Sequence, residues 1–145
     1  MVVKLMPGRL MGTVTPPPSK SQAHRALIAA YLAGSVDRLD HLADSQDIQA
    51  TRRCMEALLS PDEGTPRLAC GESGSTLRFL IPVALALRGG GVFTGQGRLM
   101  ERPQKPYFDI FDEKGVRYEQ RDGVLTVQGK LPPGVVRGDG GAVGI

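Results

Sequence analysis

Cys70-Gly71-Glu72-Ser73-Gly74-Ser75-Thr76-Leu77-Arg78-Phe79-Leu80-Ile81 changes its period in the middle. Arg67–Cys70 reads as a short strand, Gly71–Ser75 as a glycine loop, and Leu77, Leu80, Ile81, Ala84 and Leu85 then repeat at the spacing of one helical face. A strand that turns through glycines into a helix is the building block of an α/β chain. The glycines let backbone approach a ligand closely. Ser73, Ser75 and Thr76 offer hydroxyls, and Arg78 offers a planar fork suited to carboxylate or phosphate. The loop has neither the G-K-[ST] end of a Walker A loop nor G-x-G-x-x-G spacing. An ordinary strand-to-helix turn is the alternative. Pro82 removes a helical hydrogen bond, so the spacing predicts a kink or a later start for this helix.

Roughly fifty residues upstream the pattern is echoed. Ser19-Lys20-Ser21 stands before Arg25-Ala26-Leu27-Ile28, as Ser73-Gly74-Ser75 stands before Arg78-Phe79-Leu80-Ile81. Ser19 occupies an N-cap position. Ala23, Leu27, Ala30 and Tyr31 form an apolar face, and Gly34 stops the helix. The first amides of a helix lack internal acceptors, and with the macrodipole they favour an anion. Lys20 and Ser21 lie in that first turn, and Arg25 projects from the same face as Ser21. This is a phosphate or carboxylate cradle; the competing reading is a capped helix with solvated charges.

The remaining segments extend the alternation. Arg9–Val14 is expected to be a strand, ended by the stiff Pro16-Pro17-Pro18 connector. Ser35–Leu39 is a second strand candidate. Asp44 or Ser45 caps a helix that turns Ile48, Met55, Leu58 and Leu59 inward. Asp47, near its start, complements the dipole. Gly89-Gly90-Gly91 ends the third helix, and Val92–Thr94 is strand-like. Pro106–Lys114 is helical with Gly115 as its stop, and Val116–Gln120 and Val124–Gln128 make a hairpin at Asp122-Gly123. The sum is β-α-β-α-β-α-β-α-β-β. Before the fourth helix, Arg98 or Arg102 reaches an anion, or pairs with Glu101 on the surface.

Composition limits what such a chain does. Its 145 residues fit one domain, with 41% hydrophobic and 23% charged residues. The net charge of +3 suits small anions, but scattered Lys and Arg with 5% aromatics do not suit nucleic acid. Cys54 and Cys70 show no metal spacing and suit a reducing compartment. Phe79–Leu87 is too short to span a bilayer, and Met1–Pro7 lacks a signal-peptide core, so the chain is expected to be cytosolic. His24, one turn from Lys20, is a site candidate or a packing residue, and His41 is weaker. Cys70 has no adjacent histidine to activate it. No pair of carboxylates has diagnostic spacing.

Four stretches carry a resemblance. P-P-S-K-S-Q-A-H-R-A-L at 17–27, A-D-S-Q-D-I at 43–48, C-G-E-S-G-S-T-L-R-F-L at 70–80 and G-Q-G-R-L-M-E-R-P at 95–103 resemble, in order and spacing, 5-enolpyruvylshikimate-3-phosphate synthase (EPSP synthase). The resemblance implies transfer of the enolpyruvyl group of phosphoenolpyruvate to the 5-hydroxyl of shikimate 3-phosphate, in aromatic amino-acid biosynthesis, with no cofactor and no metal. It implies a partial enolpyruvyl transferase-type inside-out α/β domain built from β-α-β-α-β-β repeats. Residues 1–18 are then the initial strand and connector, 19–137 an incomplete repeat region and 138–145 a glycine-rich tail. The elements read above correspond to an initial strand, one such unit and most of a second.

Carried over by motif, Lys20 is catalytic and contacts both substrates. Ser21 and Arg25 bind shikimate 3-phosphate, Gly74 and Arg102 hold phosphoenolpyruvate with help from Lys20, and Ser75 is a further substrate-binding residue. Asp47, Glu72, Ser73 and Arg78 are further candidates, with Arg78 structural or in support. Ser75 stands where the family often has threonine and Glu72 where many members have asparagine. The chain corresponds to about the first third of a member. The family's Ser-Ser-Gln motif, aspartate base, catalytic lysine and glutamate come from the later two-thirds, so these 145 residues are expected to be inactive alone. An anion-binding module without catalysis and an enolpyruvyl transferase acting on a UDP-amino sugar are the alternatives.

Overall fold

The computed structural model describes residues 2–4, 6–9 and 11–133. The glycine-rich tail expected at 138–145 lies outside them. Among the described residues, the fold has four α-helices, α1 (Lys20–Leu32), α2 (Gln46–Leu59), α3 (Gly74–Arg88) and α4 (Lys105–Lys114), and four strands, β1 (Arg67–Ala69), β2 (Gly90–Thr94), β3 (Arg117–Arg121) and β4 (Val124–Gln128). From β1 onward the order is β-α-β-α-β-β, one complete unit, preceded by two helices.

The sheet order is β1-β2-β4-β3. β2 is central, parallel to β1 and antiparallel to β4. The hairpin closes at Asp122-Gly123, where φ is 51° and 74°. Two consecutive positive φ values are the geometry that matches the right-handed twist of paired strands. Gly90, expected to end a helix, instead opens β2. Its φ is 140°, and a side chain there would collide with the Val127 carbonyl of β4.

Two expected strands do not form. Arg9–Val14 has no strand pairing among its described residues, and Met11 and Val14 are 90% and 85% exposed. A period-2 pattern needs a neighbouring edge to bond with, and none of the described strands pairs with it. Ser35–Leu39 contains a 3₁₀ turn at Val36–Arg38 instead. The described part therefore holds one unit and the helices before it, rather than one unit and most of another.

The core lies between the helices and the sheet. Met55 and Leu58 of α2, Leu77, Leu80 and Ile81 of α3, Phe93 of β2 and Leu125 of β4 are buried together. α3 runs unbroken through Pro82. The proline's absent N–H leaves the Arg78 carbonyl without its helical donor. The buried Tyr107 hydroxyl of α4 donates to that carbonyl at 2.7 Å.

The three larger helices run parallel. Lys20 meets Asp47, His24 meets Thr51 and Tyr31 meets Glu56, so contacts climb α1 and α2 in the same direction. Thr51 meets Thr76 near the starts of α2 and α3. At the other end Arg88 of α3 donates to the Leu58 and Ser60 carbonyls that finish α2. Three N-termini consequently share one end of the molecule.

Candidate anion site at three helix N-termini

Each of the three helices begins on a serine. The hydroxyls of Ser19, Ser45 and Ser73 accept from the amides of Gln22, Ile48 and Thr76. Each helix end carries about half a positive charge, and placing three together is unfavourable unless anions answer them. Helix starts usually attract Asp or Glu, yet α1 and α3 have no acidic residue in their first turns. α1 instead opens on Lys20. A cation at the positive end of a helix is the reverse of what stability alone favours. α2 does carry an acid, Asp47, in its first turn.

Lys20 is 55% exposed on its side chain and pairs with Asp47 at 2.7 Å. Arg25 is exposed; its Nη1 donates to the Ser21 carbonyl at 3.0 Å and to the Ser21 hydroxyl. The Arg25 guanidinium lies 4.9 Å over the Phe79 ring of α3. At the start of α3 the exposed Arg102 lies against Gly74, where a Cβ would come within 2.8 Å of Nη1. Ser75 is half-buried beside it. Glu72 packs over Gly97, whose added Cβ would lie 2.9 Å from Oε1. Arg98 pairs with Glu101 at 2.8 Å, so of the two arginines weighed there Arg102 keeps its head free of an acid among the described residues.

A buried polar chain ties these starts together. Ser73 Oγ accepts from the Thr76 hydroxyl at 2.7 Å, Thr76 meets Thr51 at 2.7 Å, and Thr51 meets His24 Nδ1 at 2.8 Å. With Thr76 donating to Ser73, Thr51 donates to Thr76 and His24 donates through Nδ1. That leaves His24 Nε2 buried without a partner. Burial pushes the imidazole below its ordinary value of 6.5; the Asp47 carboxylate opposes this, and Lys20 and Arg25 reinforce it. A neutral His24 is thus a packing and tethering residue.

Thr51, Thr76 as a tether, and Phe79 are additions that the structure makes to this cluster. Thr51 carried a signal: a hydroxyl between Ile48 and Met55 on the apolar stripe of α2. Nothing local marked Phe79, whose partner lies on another helix. Arg78 is half-buried and faces α4 through its carbonyl, a supporting position. Cys70 is a buried free thiol, pushed up by its hydrogen bond with Cys54 and by burial, which removes it as a nucleophile. His41 is exposed and bonds only to Asp40 among the described residues. No helix among the described residues is long and apolar enough to cross a membrane.

Comparison with known proteins gives a consistent result. The profile of the family described as EPSP synthase (3-phosphoshikimate 1-carboxyvinyltransferase) matches residues 5–138. Proteins named 3-phosphoshikimate 1-carboxyvinyltransferase are similar: that of Clostridium beijerinckii is 38% identical across 95% of this chain and 38% of its own length. The Clostridium novyi protein is 38% identical across 91% of this chain and 37% of its own. That of Clostridium kluyveri is 40% identical across 94% and 37%. The chain spans a little over a third of the length of these relatives.

Proposed function

Because the chain belongs to the EPSP synthase family, we propose that its gathered helix ends hold the anionic groups of shikimate 3-phosphate and phosphoenolpyruvate during enolpyruvyl transfer. The observation that carries this reading is the gathering of cations at these ends: three parallel helices start together, Lys20 occupies the first turn of α1, and Arg102 lies against the first residue of α3.

In this reading Lys20 touches both substrates and exchanges Asp47 for a substrate oxygen. Ser21 and Arg25 bind shikimate 3-phosphate. Gly74, Ser75 and Arg102 hold phosphoenolpyruvate, with the bare Cα of Gly74 leaving room for the Arg102 head. Ser73 fixes the loop through Thr76, Asp47 restrains Lys20, Glu72 orders the 95–98 turn, and Arg78 supports α3. Residues 19–137 act as the enolpyruvyl transferase-like repeat region. Cations and helix ends collect two anions that repel each other in water and align them for attack of the 5-hydroxyl, with release of phosphate. The groups that move protons come from the part of the relatives' length that these residues do not match. The chain works in the cytoplasm, in keeping with its two buried free thiols, and on small molecules rather than nucleic acid.

Titration calorimetry at low ionic strength tests the reading. Shikimate 3-phosphate binds the wild-type chain, and Lys20→Ala or Arg25→Ala weakens it at least tenfold, about 1.4 kcal/mol. Equal affinity in both variants overturns the assignment. Phosphate release is expected from a mixture with a C-terminal family polypeptide and from neither part alone.

A further inference from the structure

Arg25 is held without being neutralised. Among the described residues its hydrogen bonds go to Ser21, and no carboxylate pairs with it. Lys20 has Asp47, and Arg98 has Glu101. What fixes Arg25 otherwise is the ring of Phe79, 4.9 Å below its Cζ. We propose that Phe79 is a positioning residue that presents Arg25 to the substrate anion, an inference that rests on the reading of Arg25 given above.

The chemistry of the guanidinium makes this a distinct role. Its five N–H donors lie in the plane, and an aromatic ring attracts the cation through its face. A carboxylate would consume the donors along one edge. A ring consumes none. With Nη1 occupied by Ser21, the remaining edge keeps its donors for a phosphate or carboxylate.

The ring is itself anchored. His24 meets Phe79 edge-on, with centroids 6.2 Å apart and planes at 73°. His24 is fully buried and tied to Thr51, and through Thr76 to the Ser73 cap of α3. Phe79 lies in the second turn of α3 and Arg25 in the second turn of α1. The stacked pair therefore sets the head of Arg25 relative to the helix that carries Gly74. A flexible arginine loses side-chain entropy on binding, and one that is already seated loses less.

Side-chain ¹⁵N spectra and calorimetry of the same 145-residue chain test the proposal. The Arg25 Nε–H signal is assigned by its loss in Arg25→Lys. It is expected to be shifted upfield by the Phe79 ring and to be rigid in the wild type and in Phe79→Tyr. In Phe79→Leu it moves to the position of the exposed arginines, and shikimate 3-phosphate binds about fivefold more weakly. Phe79→Tyr restores affinity to within twofold of wild type. An Arg25 signal unchanged in Phe79→Leu, or unchanged affinity, overturns the proposal. So does a Phe79→Leu spectrum in which the amides of α1 and α3 shift throughout, because Phe79 is then a packing residue. If the wild type binds no shikimate 3-phosphate, the substrate reading fails, and the Arg25 signal still decides the role of Phe79.

Discussion

The hydroxyl of Tyr107 donates to the carbonyl of Arg78 at 2.7 Å, taking the place of the amide that Pro82 lacks. One helix is thereby completed by a side chain from another. Tyr107→Phe leaves a carbonyl without a partner in a largely buried setting, and the expected loss is about 1–2 kcal/mol in urea unfolding. In a Pro82→Ala background the helix regains its own donor, and the same Tyr107→Phe change is expected to cost less than half as much. A double-mutant cycle measures the coupling; additive effects refute the substitution of one donor for the other.

Lys20 and Asp47 form an ion pair that is partly open to water. Its contribution to stability is expected to be below about 1 kcal/mol. Its effect on binding is larger in the other direction. Asp47→Asn releases Lys20 and removes a negative charge from the site, so shikimate 3-phosphate is expected to bind about threefold more tightly, on the order of 0.7 kcal/mol. Calorimetry of the single variant decides it, and weaker binding shows that Asp47 does more than restrain Lys20.

The lowered pKa of His24 gives stability a pH dependence of defined sign. The unfolded chain takes up a proton on this residue near its ordinary value of 6.5, while burial keeps the folded imidazole neutral to lower pH. The unfolded state then binds more protons, so the contribution is complete above 6.5 and is lost as pH falls toward the folded value. Its slope cannot exceed about 1.4 kcal/mol per pH unit. Comparison of urea unfolding at a series of pH values between the wild type and His24→Gln isolates the effect. The variant lacks this fall; a fall of equal steepness in both shows that other groups cause it.

Gly74→Ala separates folding from binding. Alanine is favoured over glycine in a helix, and the obstructing atom is the end of a flexible side chain, so stability is expected to stay within about 1 kcal/mol. The Arg102 head must move, because the new Cβ would lie 2.8 Å from Nη1. Phosphoenolpyruvate affinity is expected to fall about tenfold or more, about 1.4 kcal/mol, with shikimate 3-phosphate much less affected. Equal loss for both ligands places the two subsites closer together than proposed.

Which of these features a sequence displays follows from how local their causes are. The hairpin at Asp122-Gly123 was legible because the turn needs two positive φ values and those residue types supply them. The starts of α1 and α2 were legible at Ser19 and Ser45 because a helix cap concentrates its signal within a few residues. Arg9–Val14 was misread because strand pattern says nothing about whether an edge is there to receive it. Gly90 was misread because its reason is the carbonyl of Val127 on a strand read out much later. Thr51, Thr76 and Phe79 escaped for the same cause: each acts through a residue on a different helix.

The parallel bundling of α1, α2 and α3 makes ligand capture and folding two faces of one equilibrium. Like ends pressed together raise the free energy of the native chain, and any phosphate seated among them lowers it by RT ln(1 + [L]/Kd), about 1.4 kcal/mol for each tenfold excess over Kd. The melting temperature of this protein is therefore expected to rise with added shikimate 3-phosphate, a rise that differential scanning calorimetry reads directly.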